Sequence, residues 1–440
     1  MRWTTAQIAT AVEGRLVGAD VAVDRVTQDS REIDPATGDW LFVPLIAERN
    51  GHEFVPTAVA GGAVATFASE AVDAGSASVI EVESTDAALT ALGSAARDRL
   101  GDAAVVGITG SVGKTTTKDL LAAVLRRDRP THANLRSFNN EIGVPLTLLA
   151  APDDSRAVVL EMGARGIGHI ATLCGPARPT VGIVTTVGAA HTSEFGSVEA
   201  VAVGKGELVE ALPPEGFAVL NADNPFVAPM ADRTQATVVT FGDAGEVRAE
   251  AITVADDLTP SFRLVSPWGA VEVRLGVQGD HLVPNALAAA AAALPLGVSL
   301  DDIAAGLAEP DRSPMRMALQ TTATGARVID DTYNANPLSV AGALDALAST
   351  PAERRVAVLG LMAELGDSSA ADHERMVRLA HERDIEVIAV AAPEYGAGAV
   401  HVDDIAAAQA AVGPLDAGTA VLVKGSRVAA LERLVVALTG

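Results

Sequence analysis

Residues 103–121 read AAVVGITGSVGKTTTKDLL, and the order of patterns in this segment indicates the class of the fold. Residues 103–108 form an apolar run with the length of a buried strand, and residues 119–125 follow with the pattern of a helix. A glycine-rich segment lies between them, which is the context that a phosphate-binding loop requires. Glycine lets the backbone turn tightly so that its N–H groups face phosphate oxygens, and the helix N-terminus adds positive potential. We therefore predict that this stretch binds a nucleotide.

The candidate nucleotide-binding residues of this loop are Gly110, Ser111, Val112, Gly113, Lys114, Thr115 and Thr116. Lys114 is expected to bridge the β- and γ-phosphates, and the Thr115 hydroxyl is expected to hold Mg²⁺. A strict Walker A motif would have glycine at position 108, where this chain has Ile108, so the loop is a shortened variant. Lys118, one turn later, is expected to be a solvated helix residue.

The composition of the whole chain excludes several other classes of protein. A net charge of −24 argues against a nucleic-acid partner, because such proteins need surplus cations to displace phosphate counterions. The single cysteine, Cys174, rules out an internal disulfide and fits a reducing cytosol. The most apolar stretch, residues 285–298, is broken by Pro295 and is shorter than the ~18 residues of a membrane span. We expect a cytoplasmic monomer without membrane insertion and without a signal peptide.

The pattern of apolar runs divides the chain into three α/β blocks, at residues 1–100, 101–310 and 311–440. Short strand-like runs alternate with helical segments in every block, which is typical of parallel sheets. Strands are predicted at 40–43, 103–108, 157–160, 181–184, 356–359, 387–390 and 421–423, and a helix at 55–60. Residues 309–314, with two prolines in a polar setting, are the predicted linker between the second and third blocks.

Polar side chains follow two of the predicted strands of the middle block. Glu161 comes directly after residues 157–160, and His191 follows the run at 181–184. Open α/β sheets bind ligands beyond the carboxyl ends of their strands. Carboxylate oxygen and imidazole nitrogen are both suitable metal ligands, so Glu161 and His191 are candidate ligands of the Mg²⁺ that accompanies ATP. A structural role remains the alternative for His191.

Lysine is rare in this chain and therefore informative. It occurs only at positions 114, 118, 205 and 424, while the other 28 of the 32 basic residues are arginine. A lysine that persists in such a background is expected where a compact ammonium or a reactive amine is needed.

Segments along nearly the whole chain resemble segments of the Mur ligases, and they occur in the same order. The segments that carry the resemblance in the middle block are TGSVGKTTTKD at 109–119, NNEIGVP at 139–145, Glu161, TTVGAAHTSEFGS at 185–197, VGKGEL at 203–208, GDH at 279–281 and NALA at 285–288. The third block is similar at RM (316–317), IDDTYNANP (329–337), LMAELG (361–366) and VKGSR (423–427), and the first block at DSR (29–31) and NGHEF (50–54). The family usually has Asp where this chain has Asn50.

This resemblance implies a UDP-binding first domain, a central phosphate-loop domain and a Rossmann-like third domain. It also implies an ATP-dependent ligase that forms an amide bond through an acyl phosphate in peptidoglycan precursor synthesis. The YNANP and AELG segments are similar to the members that add D-alanyl-D-alanine to UDP-N-acetylmuramoyl-tripeptide, which makes these two molecules the expected substrates. The alternatives are another amino-acid ligase of the same superfamily and a switch protein that binds ATP to control a partner.

The resemblance also implies roles for individual residues. Asn285 lies in the segment near the adenine, Arg316 supplies positive charge, Asp331 binds ribose hydroxyls and Tyr333 packs by the nucleotide. The implied substrate contacts are Ser30, Arg31, Asn139, Asn140, Asn334 and Asn336. The sequence does not show which of Asn334 and Asn336 contacts ATP and which contacts the dipeptide. Lys205 matches a lysine that several members carry as a carbamate, which can bridge to a second Mg²⁺. The alternative is an ordinary helix-surface lysine paired with Glu207.

Overall fold

The structure is a computed structural model that describes residues 1–134, 138–188 and 192–440, apart from the side chains of residues 192 and 193. The chain divides into two compact units. The first comprises Met1–Gly107, Arg129–Gly163 and Ile170–Thr180, and the second comprises Ile108–Asp128, Ala164–His169 and Val181–Gly440. The glycine-rich loop and the helix after it belong to the second unit.

The N-terminal part of the first unit is built on a five-stranded sheet. Its elements are β1 (Trp3–Thr4), α1 (Thr5–Ala11), β2 (Arg15–Val17), β3 (Ala22–Val23), β4 (Arg25–Thr27), β5 (Trp40–Phe42), α2 (Val55–Ala60), β6 (Ala63–Ala68), β7 (Ser78–Glu81) and α3 (Thr85–Arg99). The strand order is β2-β7-β6-β5-β4, with β4 to β7 parallel and β2 antiparallel at one edge. Trp40, Phe42 and Val55 lie in the core of this layer.

The middle of the chain supplies a six-stranded sheet. Its elements are β8 (Ala104–Thr109), α4 (Lys114–Asp128), β9 (Thr131–Ala133), α5 (Gly143–Ala150), β10 (Ala157–Glu161), α6 (His169–Ala177), β11 (Val181–Val184), α7 (Thr192–Phe195), α8 (Val198–Glu210), β12 (Phe217–Asn221) and β13 (Thr237–Phe241). The strand order is β13-β12-β11-β8-β10-β9. Every residue of β10 and β11 is buried, as expected for apolar runs in a sheet that is covered on both faces.

A three-stranded antiparallel sheet and two helices follow in the second unit. They are β14 (Arg248–Val254), β15 (Pro260–Ser266), β16 (Gly269–Arg274), α9 (Val283–Ala293) and α10 (Leu300–Ala308). This sheet is missing from the sequence prediction, because the second half of β14 is exposed and lacks the apolar alternation that marks a strand. The alanine-rich helix α9 is almost entirely buried, so the small side chains allow close packing.

The C-terminal part of the second unit is a second parallel sheet. Its elements are β17 (Ala318–Thr321), β18 (Arg327–Asp331), α11 (Pro337–Ser349), β19 (Arg354–Gly360), α12 (Ser369–His381), β20 (Glu386–Val390), β21 (Val400–Val402), α13 (Ile405–Val412), β22 (Thr419–Lys424) and α14 (Glu432–Thr439). The strand order is β17-β18-β22-β19-β20-β21, and only β17 is antiparallel to its neighbour. Helices α11 and α12 pack on one face, while α13 and α14 pack on the other.

The structure confirms the predicted strands and the helix at 55–60 to within a few residues, and the helix predicted at 119–125 lies within α4. Residues 310–313 of the predicted linker have no regular secondary structure. None of the described helices is long and apolar enough to cross a membrane.

Helix α10 approaches α4, the helix that follows the phosphate loop, through Gly306. A Cβ atom built on Gly306 would lie 2.5 Å from the Cα of Val124. We predict that Gly306→Ala lowers the free energy of unfolding by about 1–3 kcal/mol, because backbone atoms must move to accept the methyl group. Gly175→Ala, at a helical glycine with no atom within 4 Å of its built Cβ, is the matched control and should change stability by less than about 1 kcal/mol. Denaturant unfolding of both variants measures this, and equal effects would contradict it.

Candidate active site

The phosphate loop connects β8 to α4 and is too tightly packed for side chains at its two glycines. Gly113 has φ = +85°, which favours glycine, and its built Cβ would lie 2.2 Å from the Nδ2 atom of Asn285. A Cβ on Gly110 would lie 1.9 Å from the Thr185 hydroxyl oxygen. Both glycines of the sequence motif are therefore required by local geometry.

The segment after β11 fixes one side of the loop. Ser111 N–H donates to the Thr186 carbonyl at 2.7 Å, and the Thr185 hydroxyl donates to the Val112 carbonyl at 2.6 Å. The Ser111 hydroxyl accepts from Gly188 N–H at 3.1 Å. Asn224 extends the support, since its amide donates to the Thr186 hydroxyl and to the Val187 carbonyl, both at 2.9 Å. These contacts hold the loop backbone in one conformation before any ligand binds.

Asn285 of α9 fixes the other side of the loop. Its amide donates to the Gly113 carbonyl at 3.2 Å and to the Thr117 hydroxyl at 3.0 Å, and the residue is 8% exposed. The sequence predicted Asn285 as a cofactor-binding residue near the adenine. The structure shows a contact to the phosphate loop, and the adenine role stays a prediction.

The two lysines of the loop and its helix differ in their environment. Lys114 Nζ donates to the Gly110 carbonyl at 2.8 Å across the loop. Lys118 was expected to be solvated, and this is wrong: the residue is 4% exposed and its Nζ lies 2.8 Å from Oδ1 of Asp119. The physical reason is that α4 is covered over most of its circumference, with nine of its residues buried. Thr115 is buried at the start of this helix, and Thr116 is half-buried.

Lys205 of α8 is one of the most buried large side chains of the chain, at 1% exposed. Burial lowers the pKa of its amine well below the usual value of 10.5, and the positive charge of Lys114 lowers it further. The surface-lysine alternative is therefore wrong. The carboxylate of Glu207 accepts the Gly168 N–H at 2.5 Å.

The glycines on either side of Lys205 explain the GKG pattern. A Cβ on Gly204 would lie 2.7 Å from the ring of Phe195, and one on Gly206 would lie 1.9 Å from the guanidinium of Arg233. Arg233 donates to the carbonyls of Ala202 and Val203 at 3.1 and 2.9 Å. Arg233, Thr185 and Asn224 were not predicted, and only their contacts in the fold reveal these supporting roles.

Glu161 lies in the first unit, at the end of β10, and is 2% exposed. Its carboxylate accepts from the amide of Asn139 at 2.8 Å, and its backbone N–H donates to the side chain of Asn134 at 3.1 Å. The side chain of Asn140 accepts the Gly143 N–H at the start of α5. The predicted substrate contacts Asn139 and Asn140 therefore also have structural partners. His191 lies outside the described residues.

The predicted residues of the third block meet at the carboxyl end of β18. Asp331 Oδ2 lies 2.5 Å from Nζ of Lys424, which is 2% exposed and also donates to the Asn334 carbonyl at 2.9 Å. The guanidinium of Arg316 lies 4.2 Å from the centre of the Tyr333 ring, a cation–π contact. The structure thus brings Arg316, Asp331 and Tyr333 into one cluster and adds Lys424, which the sequence analysis had singled out only as one of four rare lysines.

The remaining predicted contacts have local roles in the structure. Asn336 is the N-cap of α11, where its side chain accepts the Ser339 N–H at 2.9 Å. The Asn334 side chain accepts from Ala335 N–H at 2.9 Å. In the first unit, the exposed Arg31 pairs with Asp29 beside Ser30, with Nη2 and Oδ2 2.6 Å apart. Substrate binding by all these residues stays a prediction.

Comparison with known proteins assigns the chain to a family. Residues 108–293 match the model described as the Mur ligase middle domain, and residues 315–427 match the model described as the Mur ligase, glutamate ligase domain. The UDP-N-acetylmuramoyl-tripeptide–D-alanyl-D-alanine ligase of Mycobacterium tuberculosis is 42% identical over 433 residues, covering 90% of this chain and 84% of that protein. This chain belongs to the Mur ligase family. The resemblance read from the sequence is confirmed.

Solved structures of Mur ligases show the same fold. A crystal structure of MurF from Acinetobacter baumannii superimposes with a TM-score of 0.91 at 31% identity, covering 100% of this chain and 99% of that one. The MurF ligase from Thermotoga maritima, in complex with ADP, has a TM-score of 0.83 at 28% identity, covering 95% and 97%. The predicted three-domain α/β architecture of a Mur ligase is confirmed, while the boundaries at residues 100 and 310 stay predictions.

We predict that Asn285→Ala weakens the binding of ADP by as much as about thirtyfold, because two hydrogen bonds that hold the phosphate loop, each worth about 1 kcal/mol, are lost. Thr117→Val removes only the hydroxyl acceptor and should have the smaller effect. Calorimetric titration with ADP measures both affinities, and thermal unfolding monitors the fold. An unchanged affinity in Asn285→Ala would show that Asn285 does not support the loop.

Proposed function

We propose that this Mur ligase joins D-alanyl-D-alanine to UDP-N-acetylmuramoyl-tripeptide at the expense of ATP. The observation that carries the proposal is the near-full-length likeness to a ligase of that name, in a chain whose phosphate loop is held in place on both sides. The full coverage of solved MurF structures supports the same choice within the family.

ATP binds with its phosphates on the loop, where N–H groups at the N-terminus of α4 and the ammonium of Lys114 offset their charge. Asp331 contacts the ribose, and Arg316 and Tyr333 lie by the nucleotide. The ADP bound to the Thermotoga maritima relative supports the binding of an adenine nucleotide. Residues 310–314 act as the hinge for closing the third domain, and their contacts reach α4: Ser313 N–H donates to Asp119 Oδ2 at 3.0 Å.

The chemistry overcomes the low reactivity of a carboxylate at neutral pH. The γ-phosphoryl group moves from ATP to an oxygen of the tripeptide carboxylate, which gives an acyl phosphate and ADP. The neutral amine of D-alanyl-D-alanine attacks the acyl carbon, the C–N bond forms as the C–O bond breaks, phosphate leaves, and a proton is released to solvent. Catalysis rests on positioning and on cations that lower the cost of bringing two anions together.

Lys205 is suited to carry a carbamate. Only a neutral amine adds to carbon dioxide, and burial together with the charge of Lys114 favours the neutral form of Lys205. The new N–C bond is accompanied by the loss of one proton, and the product is an anion. The proposed Mg²⁺ ligands are Thr115, Glu161, His191 and this carbamate, and the metal would neutralise phosphate charge during transfer.

We predict that ADP forms only when the UDP-muramoyl tripeptide is present, and that stable product forms only when D-alanyl-D-alanine is added. Binding energy from the UDP group holds the reacting carboxylate, so a bare tripeptide should react poorly. The measurement is ADP release with dipeptide, tripeptide and pentapeptide forms, each with D-alanyl-D-alanine or a single amino acid. Lys114→Ala should abolish turnover in all combinations.

Each outcome of this assay separates the alternatives. If the UDP-muramoyl dipeptide with diaminopimelate or lysine were the best pair, the chain would be a sister ligase. If no pair raised ADP release above background, the ATP-dependent switch would be the better description.

We predict that Lys205→Ala lowers turnover by about a hundredfold, on the scale of losing one preorganised charged group, and that formate or acetate partly restores it. Lys205→Arg, which cannot form a carbamate and fills the space, should be equally inactive and not rescued. Removal of dissolved carbon dioxide should slow the unaltered enzyme reversibly. Full activity in Lys205→Ala would contradict a catalytic role.

A further inference from the structure

Three loops meet at the carboxyl end of β22, and one serine ties them together. Strand β22 lies between β18 and β19 in the sheet. Helices α11 and α12, which follow β18 and β19, pack on one face, whereas α14, which follows β22, packs on the other. A crevice opens where neighbouring loops leave in opposite directions, and such crevices bind ligands. The Ser426 hydroxyl accepts the Ala363 N–H at 2.9 Å and donates to the Ala335 carbonyl at 3.3 Å. Ser426 N–H donates to the Leu361 carbonyl at 3.0 Å.

The loop after β19 has a second anchor, on the side away from Ser426. His373 of α12 is fully buried, and its Nε2 accepts the Met362 N–H at 2.9 Å. Its Nδ1 lies 2.7 Å from the Ser369 carbonyl oxygen. Because an N–H only donates and a carbonyl only accepts, these two partners require the neutral ring with its proton on Nδ1.

Tyr395 reinforces the same anchor. Its ring meets the His373 ring edge to face, with centroids 4.6 Å apart. Its hydroxyl donates to the carbonyl of Gly360, the last residue of β19, at 3.0 Å. His373 of α12 and Tyr395 of the neighbouring turn therefore hold both the end of β19 and the first residues of the loop that follows it.

The loop that these contacts hold has a strained conformation. Glu364 has φ = +65°, a region that side-chain-bearing residues rarely adopt, and it is exposed between the buried Met362 and Leu365. Such conformations cost roughly 1–3 kcal/mol and persist only where the surroundings impose them. Residues 361–366 thus need their anchors to keep this shape.

We infer that His373 is a positioning residue for the acceptor: by accepting the Met362 N–H, it fixes residues 361–366 against Ser426 and so shapes the subsite for D-alanyl-D-alanine. This rests on the proposed function and places the dipeptide in the third domain, where the resemblance implies that Asn334 or Asn336 contacts it. His373 is fully buried and acts through the loop, without touching a substrate itself.

The electrostatics of His373 add a pH dependence. Burial lowers its pKa below 6.5, against the opposing effects of the Ser369 carbonyl, of Glu394 in the turn beside Tyr395 and of Asp372 on its own helix. The neutral ring therefore persists as the pH falls through 6.5. Protonation at lower pH would place a hydrogen on Nε2, so that Nε2–H and the Met362 N–H, both donors, would face each other. Binding of D-alanyl-D-alanine should therefore weaken only as the pH falls below this lowered pKa.

Two variants of His373 test the inference. In His373→Gln the amide oxygen can reach the Met362 N–H, whereas the shorter side chain of His373→Asn reaches only the Ser369 carbonyl. We expect His373→Asn to raise the KM for D-alanyl-D-alanine about tenfold while the KM values for ATP and tripeptide change less than about twofold. His373→Gln should stay within about threefold of the unaltered enzyme, and its dipeptide KM should lose the extra rise at acid pH that the unaltered enzyme shows.

Equal changes in all three KM values, or a normal dipeptide KM in His373→Asn, would overturn the inference. Amide hydrogen exchange at Met362 and Ala363 gives a readout that does not depend on turnover: it should be faster in His373→Asn than in His373→Gln. If the unaltered enzyme released no ADP with UDP-muramoyl tripeptide and D-alanyl-D-alanine together, the proposed function would fall. The exchange rates would then still decide whether His373 fixes the loop, and equal rates in both variants would overturn its positioning role.

Discussion

The backbone of the phosphate loop is confined by side chains on two sides, and the site in the second unit depends on that confinement. Thr185 approaches Gly110 and Asn285 approaches Gly113 so closely that neither position has room for a Cβ atom. The loop N–H groups are therefore oriented before a ligand arrives, and little backbone entropy remains to be lost on binding. Preorganised dipoles of this kind stabilise phosphate charge better than groups that must reorient.

The three buried lysines show two ways in which the protein meets the cost of burying an ammonium. Lys118 and Lys424 are buried with carboxylate partners, Asp119 and Asp331, whose negative charge offsets that of the ammonium. Lys205 is buried near the like charge of Lys114, which favours loss of its proton. Only the second solution yields a nucleophilic amine, so the environment decides which lysine is chemically distinct.

The sequence predicted the parallel strands and the phosphate loop because both depend on local patterns, an apolar run and the glycine spacing. It failed for Lys118, since a lysine in a helix gives no sign of whether other helices cover it. It also missed the sheet β14–β16, and it missed Asn224 and Arg233. These two residues act on backbone atoms far away in the chain, as when Asn224 reaches the Val187 carbonyl, and such contacts exist only once the fold is formed.

Small residues make the crevice of the third domain possible. The backbones of Gly360 and Gly425 approach so closely that a Cβ on Gly425 would lie 3.2 Å from the Cα of Gly360, and one on Gly360 would lie 2.8 Å from the Cβ of Ala429. This approach lets Ser426 bond to two points of the neighbouring loop. A larger side chain at either glycine would separate the loops and break those bonds. The spacing between β19 and β22 therefore sets the shape of the proposed acceptor subsite, and His373 and Ser426 hold residues 361–366 from opposite sides.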